Sequence, residues 1–175
     1  MNLWHDIEPG TKEEINVIVE INKGSNNKYE IDKKTGLIAL DRAMHTAQSY
    51  PFDYGFVPKT LWHDDDALDV VLLTTYPLFP GILVRARPVA IMNMVDGGEA
   101  DEKLIAVPVD DPRFDQVQDL KDVNKHTLLE IEHFFVTYKK LQNKVVEVTG
   151  FKGKESAEKA FEEGLDLYNK EFKAE

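Results

Sequence analysis

The first two-thirds of the chain carries apolar side chains at every second position, in short runs separated by turn residues. The clearest run predicts a β-strand with one buried face, because its period is two. It consists of Ile15, Val17, Val19 and Ile21. Comparable runs follow at residues 28–32, 37–40, 68–74, 82–94 and 103–107. Pro88 lies inside the longest run and predicts a bulge or an edge position there, because proline has no backbone N–H to donate.

The last third of the chain has the spacing of amphipathic helices, with apolar side chains at intervals of three and four. The first segment comprises Leu128, Ile131, Phe134, Phe135, Tyr138 and Leu141, and the second comprises Ala157, Ala160, Phe161, Leu165, Tyr168 and Phe172. Thr127 and Glu130 are spaced as a capping box at the start of the first helix. Lys139 and Lys140 suit its C-terminal end. A short strand at residues 145–150 is expected between the two helices.

These elements predict an α+β protein in one domain spanning residues 1–175. Short strands joined by Gly, Pro and Asn turns favour a small closed, OB-like β-barrel of about five core strands. Flanking helices, including the two C-terminal amphipathic helices, are expected to pack outside it. No internal repeat, low-complexity tract or linker divides the chain.

The composition narrows the kinds of partner. Lys and Arg total 21 against 32 Asp and Glu, and the resulting net charge of −11 disfavours nucleic acid and anionic membranes as partners. The absence of cysteine excludes a disulfide framework, a thiolate zinc site and a cysteine nucleophile. The N-terminus has no signal-peptide pattern, and no apolar run approaches the ~20 residues that cross a bilayer, so we expect a soluble cytoplasmic protein.

Several common catalytic motifs are absent from the sequence. None of Ser25, Ser49 and Ser156 lies in the G-x-S-x-G motif of serine hydrolases, and neither a P-loop nor a dinucleotide-binding glycine pattern occurs. The five histidines form no H-x-x-x-H pair, so surface or packing roles are favoured over zinc ligation. The candidate chemistry therefore belongs to carboxylates.

An acidic run, DDDALD at residues 64–69, leads directly into an apolar strand. It is not an EF-hand loop, because Asp69 and Tyr76 stand where that loop needs glycine and glutamate. Acidic runs are commonly solvated turns, but a second acidic stretch at residues 96–103 also lies between two predicted strands. Two strand-end loops that meet at one barrel mouth would present hard oxygen ligands, which suit Mg²⁺ or Mn²⁺. A solvated turn and a metal site both remain open at this point.

Cationic residues accompany the acidic stretches. They are Lys28, which shares a strand face with Glu30, together with Arg42, Lys103 and Lys139, the last preceded by Tyr138. Taken singly, each is an ordinary surface residue in most proteins. Arginine offers a planar fork and lysine a mobile point charge, and both bind phosphate oxygens. Their joint presence indicates an oxyanion site, although spacing alone does not establish that they converge.

Several separated motifs together resemble the soluble inorganic pyrophosphatases of family I, in their short bacterial and archaeal form. They are KYEIDKKTG, LDR, YPFDYGFVP, DDDALDV, ARPVAIMNMVD, DEKLIAVP and HFFVTYK, in the order and approximate spacing of that family. The resemblance runs from about Glu14 to the last helix, which is nearly the whole chain. It implies Mg²⁺-dependent hydrolysis of inorganic diphosphate to two orthophosphates by metal-activated water.

The resemblance also implies a role for each candidate residue. The implied metal ligands are Asp64, Asp69, Asp101, Asp96 and Glu30. The implied catalytic residues are Asp66, as the base that helps deprotonate the attacking water, and Tyr54, which hydrogen-bonds near that water. The implied pyrophosphate clamp consists of Lys28, Arg42, Tyr138 and Lys139. Glu20, Tyr50 and Lys103 are implied to support the cavity.

The same resemblance implies how metal binds. Asp64, Asp69 and Asp101 would hold the tightly bound ions, and Asp69 would contact two of them. Asp96, and Glu30 through water, would bind metal that arrives with the substrate. Roughly three to four Mg²⁺ ions per site are expected, with Mn²⁺, Zn²⁺ or Co²⁺ as possible substitutes. Carboxylates that repel one another until metal binds should have raised pKa values. A homohexamer is also expected from the resemblance.

The chain departs from the family pattern at three places. Glycine usually stands at the position of Asp65, proline or glutamate at Ala67, and glutamate often at Gly97. None of these changes removes an implied catalytic group. Aspartate is an accepted variant at position 65, whereas Ala67 and Gly97 are each expected to loosen their loops. The alternative function is a non-catalytic barrel that sequesters divalent metal or phosphate compounds. A metal buffer would not need an acid–base group, an arginine and a lysine together, so the enzyme is favoured.

Overall fold

The computed structural model describes residues 1–173, which contain nine β-strands and two α-helices. The strands are β1 (Ile15–Ile21), β2 (Asn27–Ile31), β3 (Ile38–Ala43), β4 (Asp53–Phe56), β5 (Asp69–Leu72), β6 (Leu83–Asp96), β7 (Glu99–Ala100), β8 (Lys103–Pro108) and β9 (Val146–Gly153). The helices are α1 (Lys125–Thr137) and α2 (Lys154–Phe172), and short 3₁₀ turns cover Pro112–Phe114, Leu120–Asp122 and Lys140–Gln142. Only β4 and β7 among the strands of residues 1–173 lie outside the predicted stretches.

Five strands pair in a closed ring at the centre of the fold. Around the ring, β1 is followed by β4, β5, β8 and β6, and β6 pairs back to β1. All of these pairings are antiparallel except β5 with β8, which is parallel. The sheet continues along β6 through β7 and β9, while β2 and β3 form a separate hairpin. This arrangement confirms the predicted α+β, OB-like class.

The longest strand, β6, connects most of this sheet, because its 14 residues pair with β1, β7, β8 and β9. Its register against β8 shifts between Pro88 and Ala90. The irregularity lies where proline removes a ladder hydrogen bond, and such bulges bend a strand. The predicted bulge at Pro88 is confirmed.

Each α-helix buries its apolar face against the strands. Phe134 and Phe135 of α1 pack on Phe52, with ring centroids 5.5 Å apart in both pairs. Ala157 and Phe161 of α2 are buried in a second cluster with side chains from β1, β5 and β8. Burying each phenylalanine side chain contributes roughly 1.5–3 kcal/mol to the free energy of unfolding. The two helices therefore stabilise the closed ring of strands from its outer side.

The boundaries of α1 differ from the prediction. The helix begins at Lys125, and the Asn124 side chain caps it by accepting hydrogen bonds from the backbone N–H groups of His126 (2.9 Å) and Thr127 (3.2 Å). The predicted capping box at Thr127 and Glu130 is therefore wrong, because Asn124 already caps this terminus one turn earlier. At the other end, α1 stops at Thr137, so Lys139 and Lys140 follow the helix.

The second helix spans Lys154–Phe172, as predicted. Ala157, Ala160 and Phe161 pack on the strands, whereas Tyr168 packs in a separate cluster with Trp4. Gly164 allows a close approach to the connection between β4 and β5, because a Cβ there would lie 3.3 Å from the Thr60 Cβ. The Leu61 N–H donates to the Gly164 carbonyl at 3.0 Å, which joins helix and loop. No helix among residues 1–173 has both the length and the apolar character to cross a membrane.

Gly55 provides a test of ring closure, because it lies opposite Val19 where β4 pairs with β1. A Cβ at this position would lie 2.0 Å from the Ile18 carbonyl oxygen. We expect Gly55→Ala to lower the free energy of unfolding by about 3 kcal/mol or more, measured by urea denaturation. The control is Gly24→Ala, which meets no atom within 4 Å and adds only left-handed strain at φ +87°, about 1 kcal/mol. Equal losses in the two variants would contradict this account of the pairing.

Candidate active site

A cleft of about 660 Å³ opens where the acidic connections between strands meet the β2–β3 hairpin. Twelve of the fourteen candidate residues line it. They are Glu20, Lys28, Glu30, Tyr54, Asp64, Asp66, Asp69, Asp96, Asp101, Lys103, Tyr138 and Lys139. Arg42 and Tyr50 are not among its lining residues. The two acidic stretches of the sequence therefore do meet at one cleft.

The centre of the cleft is a buried ammonium group shared by two carboxylates. Lys103 Nζ donates to Asp69 Oδ2 at 2.6 Å and to Asp101 Oδ1 at 2.5 Å. Parallel pairing of β5 with β8 places Asp69 beside Lys103 in register, although 34 residues separate them in the chain. The ammonium also faces the rings of Tyr54 (5.7 Å) and Phe135 (5.9 Å), a favourable cation–π position.

This centre contains more negative charge than its single lysine neutralises. Burial raises the pKa of Asp101 to about 6, with the Asp64 carboxyl adding to the effect and Lys103 opposing it. Burial likewise raises the pKa values of Asp64 and Asp69, and each is raised further by a neighbouring carboxylate. For Lys103, burial alone would lower the pKa, but Asp69 and Asp101 outweigh it and the pKa is raised. The expectation of raised carboxylate pKa values is confirmed in direction.

The donor set fits a hard divalent cation. Three carboxyl groups, those of Asp64, Asp69 and Asp101, lie together in a partly buried place with one ammonium group, that of Lys103, among them. Oxygen donors of this kind are what Mg²⁺ prefers in proteins. Within residues 1–173 no three acidic or histidine side chains already surround a single point, and Lys103 Nζ lies between two of the carboxylates. Metal binding would therefore require these side chains to shift around the lysine.

Tyrosine hydroxyls complete this part of the cleft as donors. Tyr54 donates to Asp69 Oδ2 at 2.7 Å, the same oxygen that accepts from Lys103. Burial raises the pKa values of Tyr54, Tyr50 and Tyr138, so all three remain protonated. Tyr50 lies beneath the cleft floor, where its ring packs on Tyr54 (6.1 Å) and Phe134 (4.7 Å).

Glu20 is a buried carboxyl group on the last part of β1, only 5% exposed. It accepts a hydrogen bond from the Ile31 backbone N–H at 2.8 Å and so ties β1 to the β2–β3 hairpin. Burial, and then the charge of Asp69, raise the pKa of Glu20 well above its ordinary value. Glu20 therefore links the hairpin to the acidic centre.

The β2–β3 hairpin carries two of the predicted cationic residues and one carboxylate that was not predicted. Lys28 and Arg42 are cross-strand partners on β2 and β3. Asp41 joins them, because its carboxylate lies 3.3 Å from Lys28 Nζ and 2.5 Å from Arg42 Nη1. Lys28 also pairs with Glu30 at 2.7 Å, as their shared strand face predicted. Asp41 was missed, although its position beside Arg42 in the LDR motif was an available signal.

Two further ion pairs border the cleft. Lys139 pairs with Asp96, and its ammonium lies 5.3 Å from the Tyr138 ring centroid. Asp66 is exposed at the cleft mouth, where Lys33 Nζ approaches its Oδ1 to 2.6 Å. Lys33 was missed because a lysine in the turn KKTG has no pattern that separates it from a solvated residue. Arg42 Nε is buried and has no hydrogen-bond partner within residues 1–173.

The departures from the expected motif have local structural explanations. Asp65 has φ 64°, a left-handed conformation that glycine adopts freely and aspartate tolerates better than most residues. Gly97 and Gly98 have φ 59° and 87° and form the two-residue turn between Asp96 and Glu99, as type I′ hairpins require. Ala67 is 7% exposed and belongs to an apolar cluster. The acidic loops are thus defined turns.

Comparison with known proteins gives a consistent result. A family model described as inorganic pyrophosphatase matches residues 17–169. The chain is 48% identical to an inorganic pyrophosphatase of Haloferax volcanii, over 98% of this chain and 99% of that protein. It is 49% identical to soluble inorganic pyrophosphatase 1 of Arabidopsis thaliana, over 94% of this chain and 79% of that protein.

Solved structures show the same similarity. The crystal structure of inorganic pyrophosphatase from Thermus thermophilus superposes with a TM-score of 0.92 at 41% identity, covering 97% of this chain and 99% of that one. An inorganic pyrophosphatase from Helicobacter pylori gives a TM-score of 0.90 at 45% identity, covering 94% and 99%. The ring of strands and the acidic cleft therefore belong to a fold with close structural relatives.

The raised pKa of Asp101 makes cation binding depend on protons. At a pH equal to its pKa of about 6, this carboxyl is half protonated, and a divalent cation binds only the ionised form. We expect Mg²⁺ to displace roughly half a proton from Asp101 at that pH, with affinity rising as the pH rises. Isothermal titration calorimetry in buffers of different ionisation enthalpy measures this release. Asp101→Asn should release fewer protons, and heats that do not depend on the buffer would contradict the assignment.

Proposed function

The chain belongs to the inorganic pyrophosphatase family and is an inorganic diphosphatase, and we propose that its acidic cleft is where diphosphate is hydrolysed to two orthophosphates. The observation that carries this assignment is the shared ammonium of Lys103 with its surplus of carboxylate, in a cleft that Lys28 and Lys139 also line. Arg42 is the cross-strand partner of Lys28 on the adjoining hairpin. Phosphoryl transfer to water needs positioning and charge neutralisation more than covalent chemistry. A cleft with acidic and basic sides meets both needs.

A divalent metal is the cofactor class of this family, and Mg²⁺ is the ion proposed for this chain. Asp64, Asp69 and Asp101 would hold the tightly bound ions, with Asp69 shared between two. Asp96 would bind a later ion directly and Glu30 would do so through water. When bound, such ions acidify coordinated water and neutralise phosphate oxygens. Roughly three to four ions per site are proposed, with Mn²⁺, Zn²⁺ or Co²⁺ as substitutes.

Asp66 is the proposed base. Its carboxylate lies at the open mouth of the cleft, beside Asp64 in the acidic turn, and is exposed enough to reach a water molecule above the buried centre. It would take the proton of the attacking water, while Tyr54 holds the Asp69 carboxylate in place by its 2.7 Å hydrogen bond. The proton therefore moves to the rim of the site and not into its buried centre.

Lys28, Arg42, Tyr138 and Lys139 form the proposed clamp on the two phosphate groups. Each cation of this set is already paired with a carboxylate, Lys28 and Arg42 with Asp41, and Lys139 with Asp96. Substrate oxygens would take over these donors. Lys103, Glu20 and Tyr50 are proposed to support the cavity from its buried side.

The alternative of a binding-only barrel is not supported, because the chain belongs to a family of enzymes. We keep three expectations as proposals. Residues 1–175 form one pyrophosphatase domain, the protein assembles as a homohexamer, and it is cytoplasmic. Inorganic diphosphate is the proposed partner, with neither nucleic acid nor membrane as a ligand.

The base assignment is tested by Asp66→Asn, with phosphate release from Mg²⁺-diphosphate as the measurement. Loss of a general base lowers kcat by about 100-fold or more. The matched control is Asp65→Asn, which removes a neighbouring exposed carboxylate and keeps a residue that tolerates φ 64°. We expect near-normal kcat for the control. Equal activity in both variants would place the base elsewhere and leave the diphosphatase activity intact.

The clamp is tested by Arg42→Lys, which keeps the charge and removes the planar fork. If Arg42 donates two bonds to phosphate, loss of one charged hydrogen bond of roughly 1.5 kcal/mol lowers kcat/KM for diphosphate about tenfold. Arg85→Lys is the control, because Arg85 pairs with Glu14 and Asp110 and does not line the cleft. Identical kinetics of the two variants would remove Arg42 from the clamp.

A further inference from the structure

A buried tryptophan connects the two acidic loops of the cleft. Trp62, 6% exposed, immediately precedes His63 and the acidic run, and its indole Nε1 donates to Glu102 Oε2 at 2.8 Å. Glu102 stands between Asp101 and Lys103 in the second acidic stretch. One hydrogen bond thus spans the gap between the β4–β5 and β7–β8 connections.

On the first loop, the backbone of Trp62 closes the acidic turn. Its N–H donates to the Asp66 carbonyl at 2.7 Å, and its carbonyl accepts from the Asp65 N–H at 3.1 Å. The position of the indole is therefore coupled to the position of Asp64, which lies inside this turn. A movement of the ring would carry the turn with it.

On the second loop, the residues next to Glu102 are part of the acidic centre. Asp101 and Lys103 are 9% and 3% exposed, and the Asp101 N–H is fixed by a 2.9 Å hydrogen bond to the Met94 carbonyl. Neither Trp62 nor Glu102 lines the cleft, so their hydrogen bond lies outside the space that ligands enter. Trp62 and Glu102 are therefore not candidates for metal ligands. They can act on the site by positioning the residues that line it.

An indole N–H and a carboxylate, as in Trp62 and Glu102, form a hydrogen bond strong enough to hold two loops together. A buried indole N–H needs an acceptor, and a carboxylate is the strongest that the chain offers. Other hydrogen bonds anchor the first loop at different points, such as Leu61 to Gly164 on α2. Apart from the contact between the Asp64 and Asp101 carboxyl groups themselves, the Trp62–Glu102 bond is the one side-chain hydrogen bond within residues 1–173 that joins residues 61–66 to residues 99–103.

We propose that the Trp62–Glu102 hydrogen bond is a positioning element that sets the separation of the Asp64 and Asp101 carboxylates and thereby the affinity of the cleft for divalent metal. The proposal rests on the proposed function, because it takes these two carboxylates as metal ligands. Residues that orient metal ligands commonly change metal affinity by about 10–100-fold when they are replaced. Trp62 and Glu102 are positioning residues for the site and make no contact with the reacting atoms.

The test separates the hydrogen bond from the charge. Trp62→Phe removes the N–H and keeps an aromatic ring, whereas Glu102→Gln keeps an acceptor and removes the charge. Mg²⁺ affinity is measured by isothermal titration calorimetry without substrate. We expect the dissociation constant to rise about tenfold in Trp62→Phe and in Glu102→Ala, and to stay within about threefold of wild type in Glu102→Gln. The double variant Trp62→Phe/Glu102→Ala should bind no more weakly than either single variant.

A matched control removes an indole hydrogen bond that reaches the first loop, at Thr60, and does not reach the second loop. Trp4 is also buried, and its indole donates to the Thr60 carbonyl at 2.8 Å. Trp4→Phe should lower the free energy of unfolding as Trp62→Phe does and leave Mg²⁺ affinity unchanged. If the two tryptophan variants bind Mg²⁺ with equal affinity, the proposed positioning role of the Trp62–Glu102 hydrogen bond is wrong. Should Trp62→Phe fail to fold, the comparison of Glu102→Ala with Glu102→Gln decides, because equal affinities there overturn the proposal.

Two measurements keep this inference distinct from the proposed function. Asp101→Asn should weaken Mg²⁺ binding more than Trp62→Phe, and unchanged binding in Asp101→Asn would overturn the metal-ligand assignment itself. At saturating Mg²⁺, Trp62→Phe should regain wild-type kcat, since the Trp62–Glu102 hydrogen bond acts on metal affinity alone. A kcat that stays low at saturation would show a different role for Trp62 and would contradict the proposal.

Discussion

A single buried ammonium group holds the site together, because Lys103 donates at once to Asp69 on β5 and to Asp101 in the β7–β8 connection. Carboxylates withdrawn from water repel one another strongly unless a cation lies close to them. The parallel pairing of β5 with β8 supplies that cation, since it places Lys103 in register with Asp69. The sheet topology therefore determines where the compensating positive charge lies, and this charge offsets the repulsion among the buried carboxylates.

The need to balance charge also shapes the rest of the cleft, because each cationic side chain at its border forms an ion pair with a carboxylate. Lys28 and Arg42 meet Asp41, Lys139 meets Asp96, and Lys33 meets Asp66. In the proposed function, divalent metal takes carboxylates and thereby frees lysines for phosphate. Metal and substrate would then favour each other's binding, and this coupling is reciprocal by thermodynamic necessity. A cleft balanced in this way binds a highly charged anion without carrying a large net positive charge.

Much of this arrangement could be predicted from the sequence, and the exceptions have physical causes. Period-two alternation located β1, and apolar runs located β6 and β8, but β4 has only four residues, and its sequence DYGF shows neither pattern. The start of α1 was misplaced because Thr127 and Glu130 have the spacing of a capping box, whereas Asn124, one turn earlier, accepts the capping hydrogen bonds. The acidic and basic candidates were found from residue type. Asp41 and Lys33 were not, since their roles arise from contacts between distant segments that no local pattern records.

The motif departures show how far such a site tolerates change in its supporting residues. Asp65 occupies a left-handed position that glycine would fill with less strain, yet its carboxylate stays exposed and outside the acidic centre. Gly97 and Gly98 satisfy a two-residue turn that a residue with a side chain would strain. In both loops the substitution changes the backbone's conformational preference and leaves the buried charges in place. Because Lys103 and the parallel strand pair position Asp69 and Asp101, residues 65, 97 and 98 can depart from the family pattern where the turn is preserved.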